Sequence, residues 1–274
     1  MVSSDQRRRQ LAREKYERQQ QRRAAARRKT KRRNVIVAAA VAVALAAGAA
    51  AYASVGLTGG DDTVDAAAPG PSKAADPCGK PAPGSPSKKT WKKEPEMSVD
   101  TSAAYAMKLQ TTCGDIGIKL DAAKAPHTVN SFAFLAGEKF FDHSKCHRLV
   151  DQGIYVLQCG DPTGTGAGTP GYTVPDENLK DPKLKGDIYP AGTVAMANRY
   201  DGKSDKTRNS GSSQFFLVYQ DSKLPPNYTP FGTVTEGMDV LKKIAGAGST
   251  PDPSTGNTAP NATVVIDRAT VTKT

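Results

Sequence analysis

The sequence predicts a mainly β fold, a closed antiparallel barrel capped at both ends by helices. Three observations carry it. Many short runs rich in β-branched residues recur from residue 104 onward, punctuated by Gly, Pro, Asn and Asp. Only two stretches of that region have helical start and stop signals. All the strand-like runs are compatible with antiparallel pairing.

In chain order, residues 1–33 are rich in Arg, Gln and Ala and present no apolar stripe to bury. The next 27 residues, Asn34–Gly60, contain no charge. Their Val/Ala/Leu core is long enough for a membrane-crossing helix over 34–56, since about 20 apolar residues span the hydrocarbon. The basic block before it predicts a cytoplasmic N-terminus. A cleaved secretory signal with a small-residue site near Ala51-Tyr52-Ala53 is the competing reading; the long basic start favours an uncleaved anchor. Residues 57–103 are Gly, Pro, Ala, Ser and Lys with few large apolar groups, a flexible, disordered linker by composition. Trp91 and Met97 are its bulky residues, either docked or exposed.

A domain is expected over 104–274. Ala106–Gln110 and Ile116–Leu120 alternate about a turn at Thr111–Asp115, a hairpin. Pro126 precedes Thr128–Leu135 and Gly137 follows, the asymmetry of a helix start and end, with Val129, Phe132 and Leu135 facing the core. His147–Val150 and Ile154–Gln158 flank a Gln-Gly turn as a second hairpin. A Gly-rich loop, 160–171, follows; it lacks the Gly-Lys-Ser/Thr ending of a phosphate cradle, and no helix comes after it. Residues 175–190 are polar and irregular. Gly192–Asn198, Gln214–Tyr219 and Phe231–Val234 read as strands, Met238–Ala245 as a helix, and Thr263–Ile266 and Thr270–Thr272 as closing strands.

Composition excludes one function class. The chain of 274 residues has 38 Lys/Arg against 27 Asp/Glu, net +11, but 14 of the basic and 3 of the acidic residues lie in 1–33. The rest balances at zero, so the domain has no electrostatic case for binding nucleic acid. The basic tail suits anionic lipid. Four cysteines suit two disulfides in an oxidising compartment. Three connectivities are open; the hypothesis is Cys146–Cys159 across the hairpin and Cys78–Cys113 tying linker to domain. No C-x-x-C pair suggests zinc, and no metal or other cofactor is expected.

The second hairpin carries unusual cargo. Arg148 and Gln158 sit on otherwise apolar strands, which suggests either a lined groove or a solvated face. Further motifs favour the groove: HR at His147–Arg148, QCGDPTGTGAG from Gln158 to Gly168, MAN at Met196–Asn198, GSSQFF at Gly211–Phe216 and PFGTVTEGMDVL from Pro230 to Leu241. Together, in this order, they resemble the cyclophilin family of peptidyl-prolyl isomerases, over roughly residues 104–274. The resemblance implies an eight-stranded barrel with a packed apolar interior. It implies a peptidyl-prolyl cis-trans isomerase in which Arg148 is the catalytic arginine, Gln158 holds the substrate carbonyl and Phe216 walls the proline pocket. Tyr155, Val156, Leu224 and Tyr228 would complete that pocket. Gly166, Ala197, Asn198 and Gln214 would line the groove for an extended peptide.

The chain departs from the family pattern in three places. Tyr155-Val156 stands where many members have Phe-Met, Lys223-Leu224 where many have the Trp-Leu associated with cyclosporin binding, and Tyr228 where many have His. Two extra residues near Asp151-Gln152 leave the register at Tyr155-Val156 open by one position. His147 should alternate to the strand face opposite Arg148; His127 and His143 are expected at the surface. The whole is expected to be a bacterial, membrane-anchored, extracytoplasmic and monomeric isomerase acting on proline-containing polypeptides during folding of exported proteins. A non-catalytic proline-peptide-binding or chaperone module on the same fold is the alternative.

Overall fold

Antiparallel pairing of the β-branched runs builds one nine-stranded sheet, in the order β3-β13-β1-β2-β10-β7-β8-β5-β4. Its strands are β1 (Tyr105–Thr111), β2 (Gly114–Leu120), β3 (Ser144–Lys145), β4 (Arg148–Gln152), β5 (Ile154–Cys159), β7 (Thr193–Met196), β8 (Phe215–Val218), β10 (Pro230–Glu236) and β13 (Val265–Lys273). The short pairs β6 (Ile188–Tyr189) with β9 (Ser222–Lys223), and β11 (Ser249–Pro251) with β12 (Thr258–Pro260), stand apart. The computed structural model describes residues 75–251 and 258–274. The expected basic tail (1–33), membrane-crossing helix (34–56) and first part of the linker lie outside them. Among the described residues no helix is long and apolar enough to cross a membrane.

The expected closed eight-stranded barrel is corrected to a curled, open sheet. Its two edge strands, β3 and β4, are separated in the chain by only Cys146 and His147. One segment therefore serves both edges in succession, and the chain rather than a hydrogen-bonded ladder joins them. The closing strands expected as two are one, β13, because Arg268 and Thr270 keep pairing with β1 through the polar stretch between the apolar runs.

Both helices form where the sequence reading put them, the first on its Pro and Gly signals. α1 (Pro126–Gly137) starts on its proline, and Val129, Phe132 and Leu135 are fully buried. It lies against β13, and α2 (Met238–Gly246) lies against β2. Phe132 centres the core: its ring is 4.5 Å from that of Phe231, 5.2 Å from Phe141 and 5.4 Å from Phe215.

The linker expected from composition to be flexible is tied down from residue 75 to 103. It forms no helix or strand there. The Cys78–Cys113 disulfide anchors it to the β1–β2 turn. Trp91 packs edge-on against Phe134 at 5.1 Å, and its amide donates to the Pro170 carbonyl at 2.8 Å. The Asn130 side chain on α1 accepts from the Ser98 amide (2.9 Å) and donates to the Glu96 carbonyl (3.1 Å). One docked indole and one disulfide hold what apolar content alone could not, while Met97 stays exposed.

Candidate active site

β8 is buried along its whole length, which is unusual for a strand of a sheet with one solvated face. Alternation divides its side chains. Phe215 and Leu217 enter the main core, while Phe216 and Val218 join a second cluster with Val156, Leu184, Tyr189 and Ala195. Val156 and Phe216 of that cluster, with Ile154, Ala197, Leu224 and Tyr228 packed against it, line a cavity of about 230 Å³.

The ladder register then draws one row across four strands. Arg148 on β4 faces Gln158 on β5, Gln158 faces Phe216 on β8, and Phe216 faces Ala195 on β7. With strands about 4.8 Å apart, the guanidinium stem and the aromatic ring stand about two strand spacings from each other, with the amide between. Residues from Arg148 to Phe216, 68 positions apart in sequence, thus meet on one face.

The cavity walls are His147, Arg148, Ile154, Val156, Gln158, Gly166, Ala197, Asn198, Phe216, Leu224 and Tyr228. Nine of the eleven residues singled out from sequence therefore line it. Tyr155 does not. Ile154, Val156 and Gln158 share one strand face, so Tyr155 turns to the other and packs its ring 5.9 Å from Tyr219. Strand alternation counted back from Gln158 points to Ile154, so the signal was present in the sequence. Gln214 is not a wall either; it stands behind one.

Gln214 holds the polar end together. Its Nε2 donates to the carbonyls of Gly166 (2.9 Å) and Gly168 (3.0 Å), and its Oε1 accepts from Gln158 Nε2 (2.9 Å). Gln158 Oε1 in turn accepts from Arg148 Nη1 at 3.3 Å. The amides form a directed relay that fixes the guanidinium and leaves its remaining donors for a ligand.

The glycine loop is fastened from below by one carboxylate. Asp161, fully buried, accepts from the amides of Thr163 (2.7 Å), Thr165 (3.1 Å), Gly166 (2.7 Å) and Gly168 (3.1 Å), and from the Thr163 hydroxyl (2.7 Å). Burial alone would raise the Asp161 carboxyl, but the Thr163 hydroxyl and these amides hold it below the usual value. Glycine is required at 168, where a Cβ would collide with that carboxylate. It is required at 160, where φ is +89° and a Cβ would meet the Ser213 carbonyl.

The aromatic side is clamped similarly. The Tyr189 hydroxyl donates to the Tyr228 carbonyl (2.8 Å) and accepts from its amide (3.1 Å), and the rings of Phe216 and Tyr228 meet edge-to-face at 5.4 Å. Asn198 Nδ2 donates to the Asn227 carbonyl at 2.7 Å.

His147 is a correction. It lines the cavity beside Arg148 rather than facing away, because it precedes β4 and strand alternation does not govern it. Both ring nitrogens are buried without a hydrogen-bond partner. Burial lowers its pKa, Asp161 opposes this, and Arg148 adds to it. His127, expected exposed, is half-buried, its Nδ1 2.7 Å from Glu94. His143, expected exposed, is half-buried and covers Gly84. Both hypothesised disulfides are formed, and Cys146–Cys159 lies beside the Arg148–Gln158 pair. Among the described residues no group of three or more His, Cys, Asp or Glu could hold a metal ion.

Comparison with known proteins agrees with this geometry. Residues 106–271 match the family model described as cyclophilin type peptidyl-prolyl cis-trans isomerase. A Mycobacterium leprae protein named probable peptidyl-prolyl cis-trans isomerase B is 46% identical over 172 residues, which is 60% of this chain and 55% of that protein. The protein of the same name from Mycobacterium tuberculosis is 44% identical over 171 residues, 59% of this chain and 53% of its own length. The match thus spans about half the length of these two relatives. A peptidyl-prolyl cis-trans isomerase of Helicobacter pylori is 35% identical over 56% of this chain and 85% of its own. The crystal structure of a cyclophilin type isomerase from Cryptosporidium parvum superposes with a TM-score of 0.50 at 26% identity, covering 62% of this chain and 99% of that one.

Proposed function

The chain belongs to the cyclophilin-type peptidyl-prolyl cis-trans isomerase family, and we propose that it accelerates cis–trans exchange of X-Pro bonds in polypeptides. The observation that carries this reading is the row of Arg148, Gln158 and Phe216 beside an apolar cavity. Amide resonance opposes rotation with a barrier of about 18–20 kcal/mol. Lowering it requires no covalent step. In the twisted amide the proline nitrogen holds a localised lone pair, which a cationic donor stabilises more than it does the planar ground state.

In this reading the prolyl ring enters the slot formed by Phe216, Val156, Ile154, Leu224 and Tyr228. Arg148 aims its free N–H groups at the nitrogen, and Gln158 holds both the guanidinium and the substrate carbonyl. Ala197, Asn198 and Gly166 support the extended peptide. Gln214 acts as a positioning residue through Gln158. The test is NMR exchange of cis and trans signals of a proline peptide with the full chain. Arg148→Ala should lower the exchange rate about 10²–10³-fold, the size seen when one such donor is removed. Equal rates in the variant would defeat the mechanism, and peptide binding without any exchange would make the protein a binding module.

We further propose that the domain works outside the cytoplasm as a monomer, anchored through one helix over 34–56 with residues 1–33 inside, on proteins folding after export. The uncharged run after a basic block supports the anchor. Two formed disulfides and no free cysteine among the described residues support an oxidising compartment.

A further inference from the structure

The cavity walls include a cation, Arg148, and no Asp or Glu. A second cation stands at the rim. Arg199 follows the wall residue Asn198, and its Nη2 donates to the Ala167 carbonyl at 3.4 Å, next to the wall residue Gly166. The guanidinium therefore spans the gap between two sides of the mouth, and this bond engages one of its five N–H groups. Arg199 is exposed, and among the described residues no carboxylate lies within ion-pair distance of it.

The loop that presents Arg199 is held in place. Its amide donates to Ser210 Oγ (2.9 Å), whose hydroxyl donates to the Thr207 carbonyl (2.7 Å); the Tyr200 amide donates to Asn198 Oδ1 (3.1 Å). Arg208 sits 3.7 Å over the Tyr200 ring. Two nearby acids, Asp201 and Asp176, are engaged by other groups, while Asp205 on the same loop is exposed. Asp201 accepts from the Lys203 and Ser204 amides, both at 2.9 Å, and from the Thr207 hydroxyl at 3.1 Å. Asp176 accepts from the Asn209 amide at 3.2 Å and lies 3.8 Å from Arg208. Lys223, next in sequence to the wall residue Leu224, is exposed, and so is Asp187, whose carbonyl accepts from the Leu224 amide at 2.9 Å. A polypeptide entering the slot meets two held guanidinium groups, those of Arg148 and Arg199, and no Asp or Glu among the walls, a field that favours anionic chains.

We propose that this mouth selects proline segments bearing a carboxylate side chain within three residues of the proline, and that Arg199 is the residue that pairs with it. The inference rests on the isomerase reading for what occupies the slot. The test uses the full chain and peptides of one sequence in which Glu or Gln is placed, one position at a time, over the three residues on either side of the proline. Dissociation constants come from NMR titration, and exchange rates from the same samples. At one position or more, Glu should bind about two- to fivefold tighter than Gln, the size of an exposed ion pair. Salt at 0.5 M should reduce that preference. Arg199→Gln should abolish it and Arg199→Glu reverse it. Equal affinity for Glu and Gln peptides in the wild type, or an undiminished preference in Arg199→Gln, overturns the proposal. Exchange catalysis without the preference defeats this inference alone; the preference without catalysis supports it and defeats the isomerase reading alone.

Discussion

Gln214 shows how a residue that never meets the cavity can set its chemistry. Its side chain satisfies two loop carbonyls and one amide donor at once. Replacing it by apolar Leu leaves Gln158 Nε2 and the Gly166 and Gly168 carbonyls without these partners. We expect Gln214→Leu to lower stability by about 1–3 kcal/mol and the exchange rate about tenfold, with Gln214→Glu restoring part of the rate by keeping an acceptor for Gln158. A rate unchanged in Gln214→Leu would mean that the relay does not position Arg148. His147 carries a different consequence. Its folded-state pKa lies below the unfolded value of about 6.5. The unfolded chain therefore binds more protons as pH falls through that value, and the folded state loses stability there. Urea unfolding at pH 7.5 and pH 5.5 should show a loss on acidification that is smaller in His147→Gln. An identical loss in both would remove His147 as its source.

At the scale of elements, β8 makes the site possible by being buried on both faces. A strand with one wet face could not put Phe215 in the core and Phe216 in the pocket. The second requirement is that β4 stay in register with β5, since a slip by one residue would turn Arg148 away from Gln158. The Cys146–Cys159 bond, closing a separation of 13 residues, sits just outside that pair and pins it at its open end. Removing it as Cys146→Ser with Cys159→Ser should cost about 3 kcal/mol. The exchange rate, measured under conditions where the variant is fully folded, should also fall. A variant that keeps full rate would show that the ladder alone holds the register.

For the whole molecule, charge is segregated along the chain: all of the net +11 lies in residues 1–33, and the remainder balances. Such segregation suits a topology signal better than a nucleic-acid surface. If the proposed anchor is correct, alkaline extraction should leave the protein with the membrane pellet, and protease added outside the cytoplasmic membrane should cut the domain but not residues 1–33. Release by alkali would defeat the anchor.

Much of this was legible in the sequence. The two helices and both hairpins could be read from local signals, because turn chemistry and helix ends act over a few residues; the site residues, nine of which line the cavity, came from the family resemblance instead. Tyr155 and His147 were misplaced at the second hairpin, where the face of each side chain depends on where the strand begins. What the sequence by itself determined was which residues prefer strand, helix or turn, and which types could do chemistry on a proline amide. Only the tertiary structure decided that the sheet curls open rather than closing, that residues 75–103 dock, and that Arg148, Gln158 and Phe216 fall on one row. The reason is physical: register and docking are settled by long-range packing and hydrogen bonding between segments far apart in the chain, and no local pattern contains the identity of the partner.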